Sequence, residues 1–218
     1  MSADLEAEKR AAGAAAAELV RPGQAVGLGT GSTVARFLPA LAARRLAGVR
    51  CVATSQATEA QARELGLTVE PFDALDRLDI AVDGTDQVTP DGWLVKGGGG
   101  AHVREKIVAA AAARFVVIGS SDKPVERLHA PVPVELLPFG LPATLRLLGE
   151  GAAVRAGAPR SPDGGVIADY LGPVDDPAAL ATRLEAVPGV VGHGLFEPAL
   201  VSDVLIARGE QVEHRRFG

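Results

Sequence analysis

The stretch Ala25-Val26-Gly27-Leu28-Gly29-Thr30-Gly31-Ser32-Thr33 runs from a short apolar strand into a glycine-rich loop, and residues with helical spacing follow at 34–46. A strand, a glycine loop and a helix in this order are typical of parallel α/β sheets. The glycines let the backbone turn and expose its amides, while the helix N-terminus adds partial positive charge. The loop therefore predicts a phosphate or other anion site, with hydroxyl donors at Thr30, Ser32 and Thr33.

Two familiar nucleotide motifs do not fit this loop. No lysine follows the glycines as in a Walker A loop, and the spacing differs from the dinucleotide pattern G-x-G-x-x-G. The second strand ends in residues 54–58, Thr-Ser-Gln-Ala-Thr, where a dinucleotide site would place an acid for the ribose hydroxyl. A tight turn with a Ser/Thr helix cap is the structural alternative for the loop.

Short apolar segments alternate with helical ones along the first 120 residues. Strands are predicted at 25–28, 49–54, 67–69, 78–83 and 115–119, and helices at 4–20, 34–46, 55–65 and 103–114. This alternation predicts an α/β fold with an open, mostly parallel sheet and helices on both faces.

From about residue 130 the pattern changes. Strands are predicted at 132–137, 152–156, 166–170 and 189–192, and helices at 141–149 and 176–187. The order β-α-β-β-α-β predicts a small α+β domain of the split βαβ, ferredoxin-like type that packs as a lid. We therefore assign residues 1–129 and 201–218 to a main catalytic domain and 130–200 to the small domain, with strand 201–207 returning to the main sheet.

Composition excludes several classes of protein. The 218 residues are 47% hydrophobic and carry a net charge of −5, which argues against a nucleic-acid partner. The single cysteine, Cys51, lies in an apolar run and is expected to be a buried small residue. The acidic N-terminus lacks the basic region of a signal peptide, and no apolar run approaches the roughly 20 residues of a membrane span. A cytoplasmic protein without a membrane partner is expected.

Two carboxylates follow the buried strand 78–83. Asp83 and Asp86 stand at its carboxyl end, where open α/β sheets bind ligands. They suit a metal ion, sugar hydroxyls or proton transfer, but the few acids and the lack of a nearby histidine favour hydroxyl binding over a metal. The structural alternative is an Asp-Gly turn with Asp86 as a cap.

A cation and a carboxylate flank the four glycines at 97–100. Lys96 precedes them and Glu105 follows them early in a helix, so that a base and an electrophile belong to one segment. The helix dipole also favours an acid at the position of Glu105, which is its structural alternative. His102 is an acid/base candidate that a neutral loop histidine explains equally well.

Further along the chain, Lys123 follows the apolar strand 115–119, again at a carboxyl end. It is therefore predicted to bind phosphate in the same crevice as the Gly29–Thr33 loop. His129, His193 and His214 show no spacing that indicates a metal site.

Taken together and in this order, the motifs resemble ribose-5-phosphate isomerases of the A type. The resemblance extends from about Lys9 to Ile206. It is carried by the segments 29–33, 82–86, 96–106, 121–123, 131–135 and 186–196. The block from Lys96 to Lys106 is specific, whereas the Gly29–Thr33 loop alone also fits relatives that share the fold.

The resemblance implies interconversion of D-ribose 5-phosphate and D-ribulose 5-phosphate through an enediolate, in the non-oxidative branch of the pentose phosphate pathway. Glu105 corresponds to the catalytic base, with Asp83 and Lys96 as further catalytic groups. The implied substrate-binding residues are Thr30, Gly31, Ser32, Thr33, Asp83, Asp86, Lys96, Gly97, Gly98, Gly99 and Lys123, with Lys9 as a weaker match. No metal or organic cofactor is implied, and family members are usually homodimers or homotetramers.

One departure from the family pattern is Gln87, where a glutamate is common. Two other functions remain open. A sugar-phosphate sensor on the same scaffold would keep the Gly29–Thr33 loop but would need neither Lys96 nor Glu105. A CoA-transferase-like enzyme on a related fold would use a glutamate as nucleophile.

Overall fold

The computed structural model describes residues 3–75 and 77–217, so the predictions made for residues 1, 2, 76 and 218 lie outside the described residues. The helices are α1 (Ala3–Ala17), α2 (Val34–Ala43), α3 (Gln56–Glu64), α4 (His102–Ala111), α5 (Leu141–Leu148) and α6 (Pro177–Glu185). The strands are β1 (Ala25–Leu28), β2 (Arg50–Ala53), β3 (Ile80–Gly84), β4 (Gln87–Val88), β5 (Leu94–Val95), β6 (Phe115–Ser120), β7 (Val132–Leu136), β8 (Ala152–Val154), β9 (Val166–Tyr170), β10 (Val190–His193), β11 (Leu195–Phe196), β12 (Asp203–Arg208) and β13 (Gln211–Arg216).

Two compact units divide the chain. The first comprises the residues up to Thr85, Arg104–Lys123 and the residues from Ala199 onward, and the second comprises Asp86–Val103 and Pro124–Pro198. Our sequence-based division placed 86–103 and 124–129 with the main sheet instead. Residues 86–103 fall in the second unit because β4 and β5 pair with each other and with β11. Residues 124–129 join them through the bridge between Val88 and Pro124 and the bond between Gln87 and His129.

The first unit is built on a six-stranded sheet in the order β13-β12-β6-β3-β1-β2. All neighbours are parallel except β12 and β13, which are antiparallel. In β1, Val26 and Leu28 pack into a core with Phe37 of α2. Gly27 points the other way, where a Cβ would lie 2.4 Å from Val108 of α4. The predicted parallel sheet with helices on both faces is therefore confirmed.

The second unit holds a four-stranded antiparallel sheet in the order β10-β7-β9-β8. Its elements follow the chain as β7-α5-β8-β9-α6-β10, which confirms the predicted split βαβ arrangement. Apolar side chains of this sheet and of α6, among them Val134, Ala168 and Leu184, form its core. A three-stranded sheet, β11-β5-β4, completes the unit.

Several predicted boundaries shift, and four strands were missed. Segment 67–69 forms only a bridge between Val69 and Cys51. The strands β4, β5 and β11 have two residues each, too few to show a period in sequence. The edge strand β13 was missed because its residues are polar on both faces (Gln-Val-Glu-His-Arg-Arg), so only its pairing with β12 identifies it.

Cys51 is fully buried in the core of the first unit. Burial, with a smaller contribution from Glu70, raises the pKa of its thiol to about 12. Since the thiolate is the reactive form, we expect iodoacetamide at about pH 8 to leave Cys51 unmodified in the folded protein and to alkylate it after denaturation. Mass spectrometry of the intact chain measures both states. Rapid alkylation of the native chain would contradict this burial.

Within residues 3–75 and 77–217, no helix combines the length and the hydropathy needed to cross a bilayer. The same residues contain no group of three or more His, Cys, Asp and Glu side chains arranged to hold a metal ion.

Candidate active site

The Gly29–Thr33 loop and Asp83 are held together by direct hydrogen bonds. The backbone N–H of Thr30 donates to Asp83 Oδ1 at 3.1 Å, and the N–H of Gly29 donates to the carbonyl of Val82 at 2.9 Å. A Cβ on Gly29 would lie 2.0 Å from the Asp83 carboxyl carbon, which is far too close for any other residue. Glycine at 29 therefore permits the approach of the loop to the carboxylate.

Threonines beyond β2 support the loop from the other side. The hydroxyls of Thr30 and Thr54 lie 2.7 Å apart, and Thr58 donates to the carbonyl of Gly29 at 2.8 Å. The position where a dinucleotide site would carry an acid thus serves to hold the loop. Thr33 precedes α2 without making a side-chain capping hydrogen bond, so the helix cap of the structural alternative is not formed by Thr33.

Asp83 carries a carboxylate near the carboxyl end of β3, and the residue is buried, with only 2% of its surface exposed. Its Oδ1 accepts a second backbone N–H, that of Gly84, at 2.7 Å. Two donors on one oxygen fix the orientation of the carboxylate, as charge-assisted hydrogen bonds from backbone amides do.

Parallel pairing aligns three predicted site segments. Strands β1, β3 and β6 are consecutive neighbours in the sheet, so their carboxyl ends lie at one edge. The Gly29–Thr33 loop follows β1, Asp83 is the penultimate residue of β3, and Lys123 follows β6. The structure therefore brings the Gly29–Thr33 loop, the buried carboxylate and the lysine to the same edge, where open α/β sheets bind ligands.

The turn that carries Lys123 is internally hydrogen-bonded. Ser120 Oγ donates to Asp122 Oδ1 at 2.5 Å, and Lys123 Nζ lies 3.1 Å from Asp122 Oδ2. Burial disfavours the ionised Asp122, but the bonds from Ser120 and Lys123 outweigh it and lower the pKa of this carboxyl. The turn thus holds the Lys123 ammonium in a defined position, with a quarter of the lysine side chain exposed.

Helix α1 contributes two buried charged residues near this turn. Glu8 accepts the N–H of Ser121 at 2.8 Å and that of Gly209 at 3.0 Å. Burial opposes its ionisation, yet these two backbone donors lower the pKa of Glu8. Lys9, the weaker family match, is 4% exposed and its Nζ lies 3.0 Å from Glu6. Sequence reasoning missed Glu8, since a glutamate in an alanine-rich helix carries no motif.

Glu105 stands in the first turn of α4 and is 4% exposed. Burying a carboxylate is costly, and the partial positive charge of a helix N-terminus offsets part of that cost. The residue lies in the same unit as Asp83 and Lys123.

In the second unit, Asp86 is bound to the glycine run. The N–H of Gly98 donates to Asp86 Oδ2 at 2.8 Å, and a Cβ on Gly98 would lie 2.9 Å from Oδ1. Gly97 has φ +105° and accepts the N–H of Gly100 at 3.0 Å, which closes a tight turn. Glycine is needed at 97 because other residues rarely adopt this conformation.

Lys96 is 2% exposed and directly follows β5. Its N–H donates to the carbonyl of Gly194 at 2.8 Å, and its Nζ lies 5.4 Å from the centre of the Phe196 ring. A Cβ on Gly194 would come within 2.0 Å of the Lys96 carbonyl oxygen. Gly194 thereby fixes Lys96 through its backbone, and Phe196 of the adjoining strand β11 fixes it through an aromatic contact.

The hydrogen bonds of Gln87 explain why an amide stands where the family pattern commonly has a glutamate. Its Oε1 accepts the N–H of His129 at 2.9 Å, and its Nε2 donates to the His129 carbonyl at 2.8 Å. An ionised glutamate could accept the first bond but could not donate the second. The amide therefore ties β4 to the segment around His129.

Arg155 is a second residue that sequence reasoning missed. It follows β8, and its Nη1 donates to the carbonyls of Gly97 and Gly98 at 3.1 and 3.0 Å. Its Nε and Nη2 bind both carboxylate oxygens of Asp169. In the sequence, Arg155 could have been noticed only by pairing it with Asp169, which becomes its diagonal neighbour once β8 and β9 pair.

Fold and site together define an α/β enzyme scaffold with its polar groups beyond the carboxyl ends of parallel strands. Residues 50–211 match the family model of ribose 5-phosphate isomerase A (phosphoriboisomerase A). A relative from Nitrobacter hamburgensis named ribose-5-phosphate isomerase A is 44% identical, over 97% of this chain and 99% of its own length.

Solved structures agree with this match. One of D-ribose-5-phosphate isomerase in complex with phospho-erythronic acid has a TM-score of 0.92 and 30% identity, covering 99% of this chain and 100% of its own. Ribose 5-phosphate isomerase A from Methanocaldococcus jannaschii has a TM-score of 0.88 and 32% identity, covering 95% and 97%. The chain belongs to the ribose 5-phosphate isomerase A family.

Proposed function

We propose that this chain interconverts D-ribose 5-phosphate and D-ribulose 5-phosphate as an aldose–ketose isomerase of the non-oxidative pentose phosphate pathway. The observation that carries the proposal is the shared sheet edge where the Gly29–Thr33 loop, Asp83 and Lys123 lie. An anion loop and a lysine suit a sugar phosphate, and the adjacent carboxylate suits its hydroxyls. Family membership favours isomerisation over the sensor and CoA-transferase alternatives.

Glu105 is the proposed base. It removes the C2 proton of the open-chain aldose, which gives a cis-enediolate, and the resulting carboxylic acid returns a proton to C1. One group thus works as base and then as acid, and general acid–base catalysis of this kind contributes roughly 100- to 10,000-fold.

Lys96 and the amides of Gly97 and Gly99 are the proposed stabilisers of the negative charge that develops on the C1 and C2 oxygens, while the N–H of Gly98 is bound by Asp86. A fixed ammonium and preorganised N–H donors lower the energy of the enediolate more than that of the neutral substrate. Burial of Lys96 supports this role, since a water-poor surrounding strengthens the interaction.

Asp83 and Asp86 are the proposed partners of the sugar hydroxyls, with Asp83 also assisting ring opening. The phosphate binds remotely to Thr30, Gly31, Ser32, Thr33 and Lys123, with Lys9 as a further candidate. Binding energy from the phosphate then orients C1 and C2 for proton transfer.

A coupled assay of ribulose 5-phosphate formation from ribose 5-phosphate, run with EDTA present, tests the proposal. We expect turnover that EDTA does not change, and deuterium from D₂O at C1 of the product. Phospho-erythronic acid should inhibit competitively, because it combines a phosphate with a carboxylate that imitates the enediolate oxygens. Exchange of CoA esters, or binding of the sugar without turnover, would replace this function by one of the two alternatives.

Lys123→Ala is expected to raise KM for ribose 5-phosphate about tenfold or more while changing kcat less, because it removes a charge from the phosphate and not from the reacting carbons. Steady-state kinetics measure the split, with the exposed Arg160→Ala as the control variant. Equal turnover of ribose and ribose 5-phosphate by the wild-type chain would contradict the phosphate assignment.

Two further predictions accompany this function. The family resemblance predicts a homodimer or homotetramer, which sedimentation velocity can measure.

The sequence composition predicts a cytoplasmic location, which fractionation of the source cells can measure.

A further inference from the structure

One guanidinium joins an ion pair to the backbone of the glycine run. Arg155 binds Asp169 through Nε at 2.9 Å and Nη2 at 2.6 Å, and its remaining terminal nitrogen binds two successive carbonyls, those of Gly97 and Gly98. Both side chains of the ion pair are largely buried, at 22% and 16% exposure. The Asp169 carboxylate raises the pKa of Arg155 further.

The ion pair lies on two paired strands. Strands β8 and β9 pair antiparallel, and the N–H of Arg155 donates to the carbonyl of Ile167 at 2.9 Å. The glycine run, in contrast, has no side chains to fix it, and glycine loses more backbone freedom on ordering than any other residue. Its order must come from contacts with neighbours, and Arg155 and Asp86 supply them.

Peptide geometry gives these contacts a direction. In a trans peptide the C=O and the N–H of the same unit point to opposite sides. The carbonyl of Gly97 binds Arg155 while the N–H of the same peptide, on Gly98, binds Asp86. The carbonyl of Gly98 also binds Arg155, so the N–H of Gly99 points away from the guanidinium. Gly98 and Gly99 are both exposed.

We propose that Arg155, held by Asp169, is a positioning residue that orients and polarises the Gly98–Gly99 peptide so that the Gly99 N–H donates to the enediolate oxygens of the substrate. A cation on the carbonyl side of a peptide strengthens the N–H of the same unit as a donor, through hydrogen-bond cooperativity. This inference rests on the proposed function, since it assigns the glycine run to the reacting end of the sugar.

Arg155→Lys is the variant that tests the assignment. Lysine keeps the charge, but its single ammonium cannot reproduce a bidentate carboxylate contact together with two carbonyl contacts. We expect kcat to fall about tenfold or more with KM changed about twofold or less, because the lost alignment matters most in the transition state. Asp169→Asn should shift kcat in the same direction, and Arg160→Ala, an exposed arginine five residues away, should leave both constants unchanged.

Inhibition separates positioning from general damage. Arg155→Lys should weaken inhibition by phospho-erythronic acid about tenfold and leave inhibition by inorganic phosphate unchanged, since phosphate alone does not need the glycine run. A merely structural role would weaken both inhibitors together or neither. Equal inhibition constants for wild type and Arg155→Lys with both probes would overturn the proposal.

Hydrogen exchange provides a readout that does not need catalysis. The peptide covering 96–102 should exchange faster in Arg155→Lys than in wild type, and Arg160→Ala should match wild type. If the wild-type chain fails to isomerise ribose 5-phosphate, the proposed function is wrong, and unchanged exchange in Arg155→Lys would separately overturn the positioning role of Arg155. Full kcat in Arg155→Lys would overturn it as well.

Discussion

Glu105→Gln is expected to lower kcat for ribose 5-phosphate at least about 100-fold, which is the lower range of a lost general base. The amide has nearly the size of the carboxyl group but cannot take up the C2 proton. KM should change little, because the ground state of the sugar loses no charged contact that binds it. Steady-state assays give both constants, and circular dichroism confirms the fold.

Glu59→Gln is the matched control for this variant. Glu59 also lies in the first turn of a helix, α3, so both substitutions remove one favourable interaction with a helix dipole. Glu59 is a partly exposed residue paired with Arg63, and its loss should leave kcat unchanged. If Glu105→Gln turned over at a rate near that of Glu59→Gln, Glu105 would lose the role of base.

Deuterium incorporation adds a second test of the same residue. In D₂O, wild-type turnover should label C1 of ribulose 5-phosphate, because the protonated base exchanges with solvent before it returns a proton. The residual activity of Glu105→Gln should carry no more label than the uncatalysed reaction. Full labelling by the variant would mean that another group moves the proton.

The sequence predicted most of the sheet because its parallel strands are short apolar runs followed by polar turns. Strand β6 is buried along its whole length, and the predicted segment 115–119 differs from it by one residue. The ends of such strands in a parallel sheet share an edge, so the grouping of the Gly29–Thr33 loop with Asp83 and Lys123 could be anticipated from strand order alone.

What the sequence could not predict depends on pairings between distant segments. Gln87 became intelligible only through His129, forty-two residues away, and Arg155 only through the carbonyls of Gly97 and Gly98. Backbone carbonyls have no sequence signature, so a side chain that binds them shows no motif. The predicted division of the chain differs from the two compact units at 86–103 for the same reason, since the two-residue strands β4, β5 and β11 form only by pairing with one another.

Lys96→Met is expected to lower kcat about 100- to 1,000-fold, since a donor to a developing oxyanion contributes roughly 3–4 kcal/mol. Methionine keeps an unbranched apolar chain of similar length against Phe196 but carries no charge. The enediolate then forms without the proposed stabilising cation, while the neutral aldose binds almost as before, so KM should change far less than kcat.

Lys106→Met, on helix α4, is the control for the loss of one positive charge and should retain most of the activity. Lys96→Arg should not restore kcat, because the planar guanidinium is larger than the ammonium and Lys96 is only 2% exposed. Thermal melts must show that each variant folds before the rates are compared. Losing a preorganised donor normally lowers kcat far more than about threefold. A Lys96→Met variant with kcat within about threefold of wild type would therefore remove Lys96 from charge stabilisation and leave that role to the glycine amides.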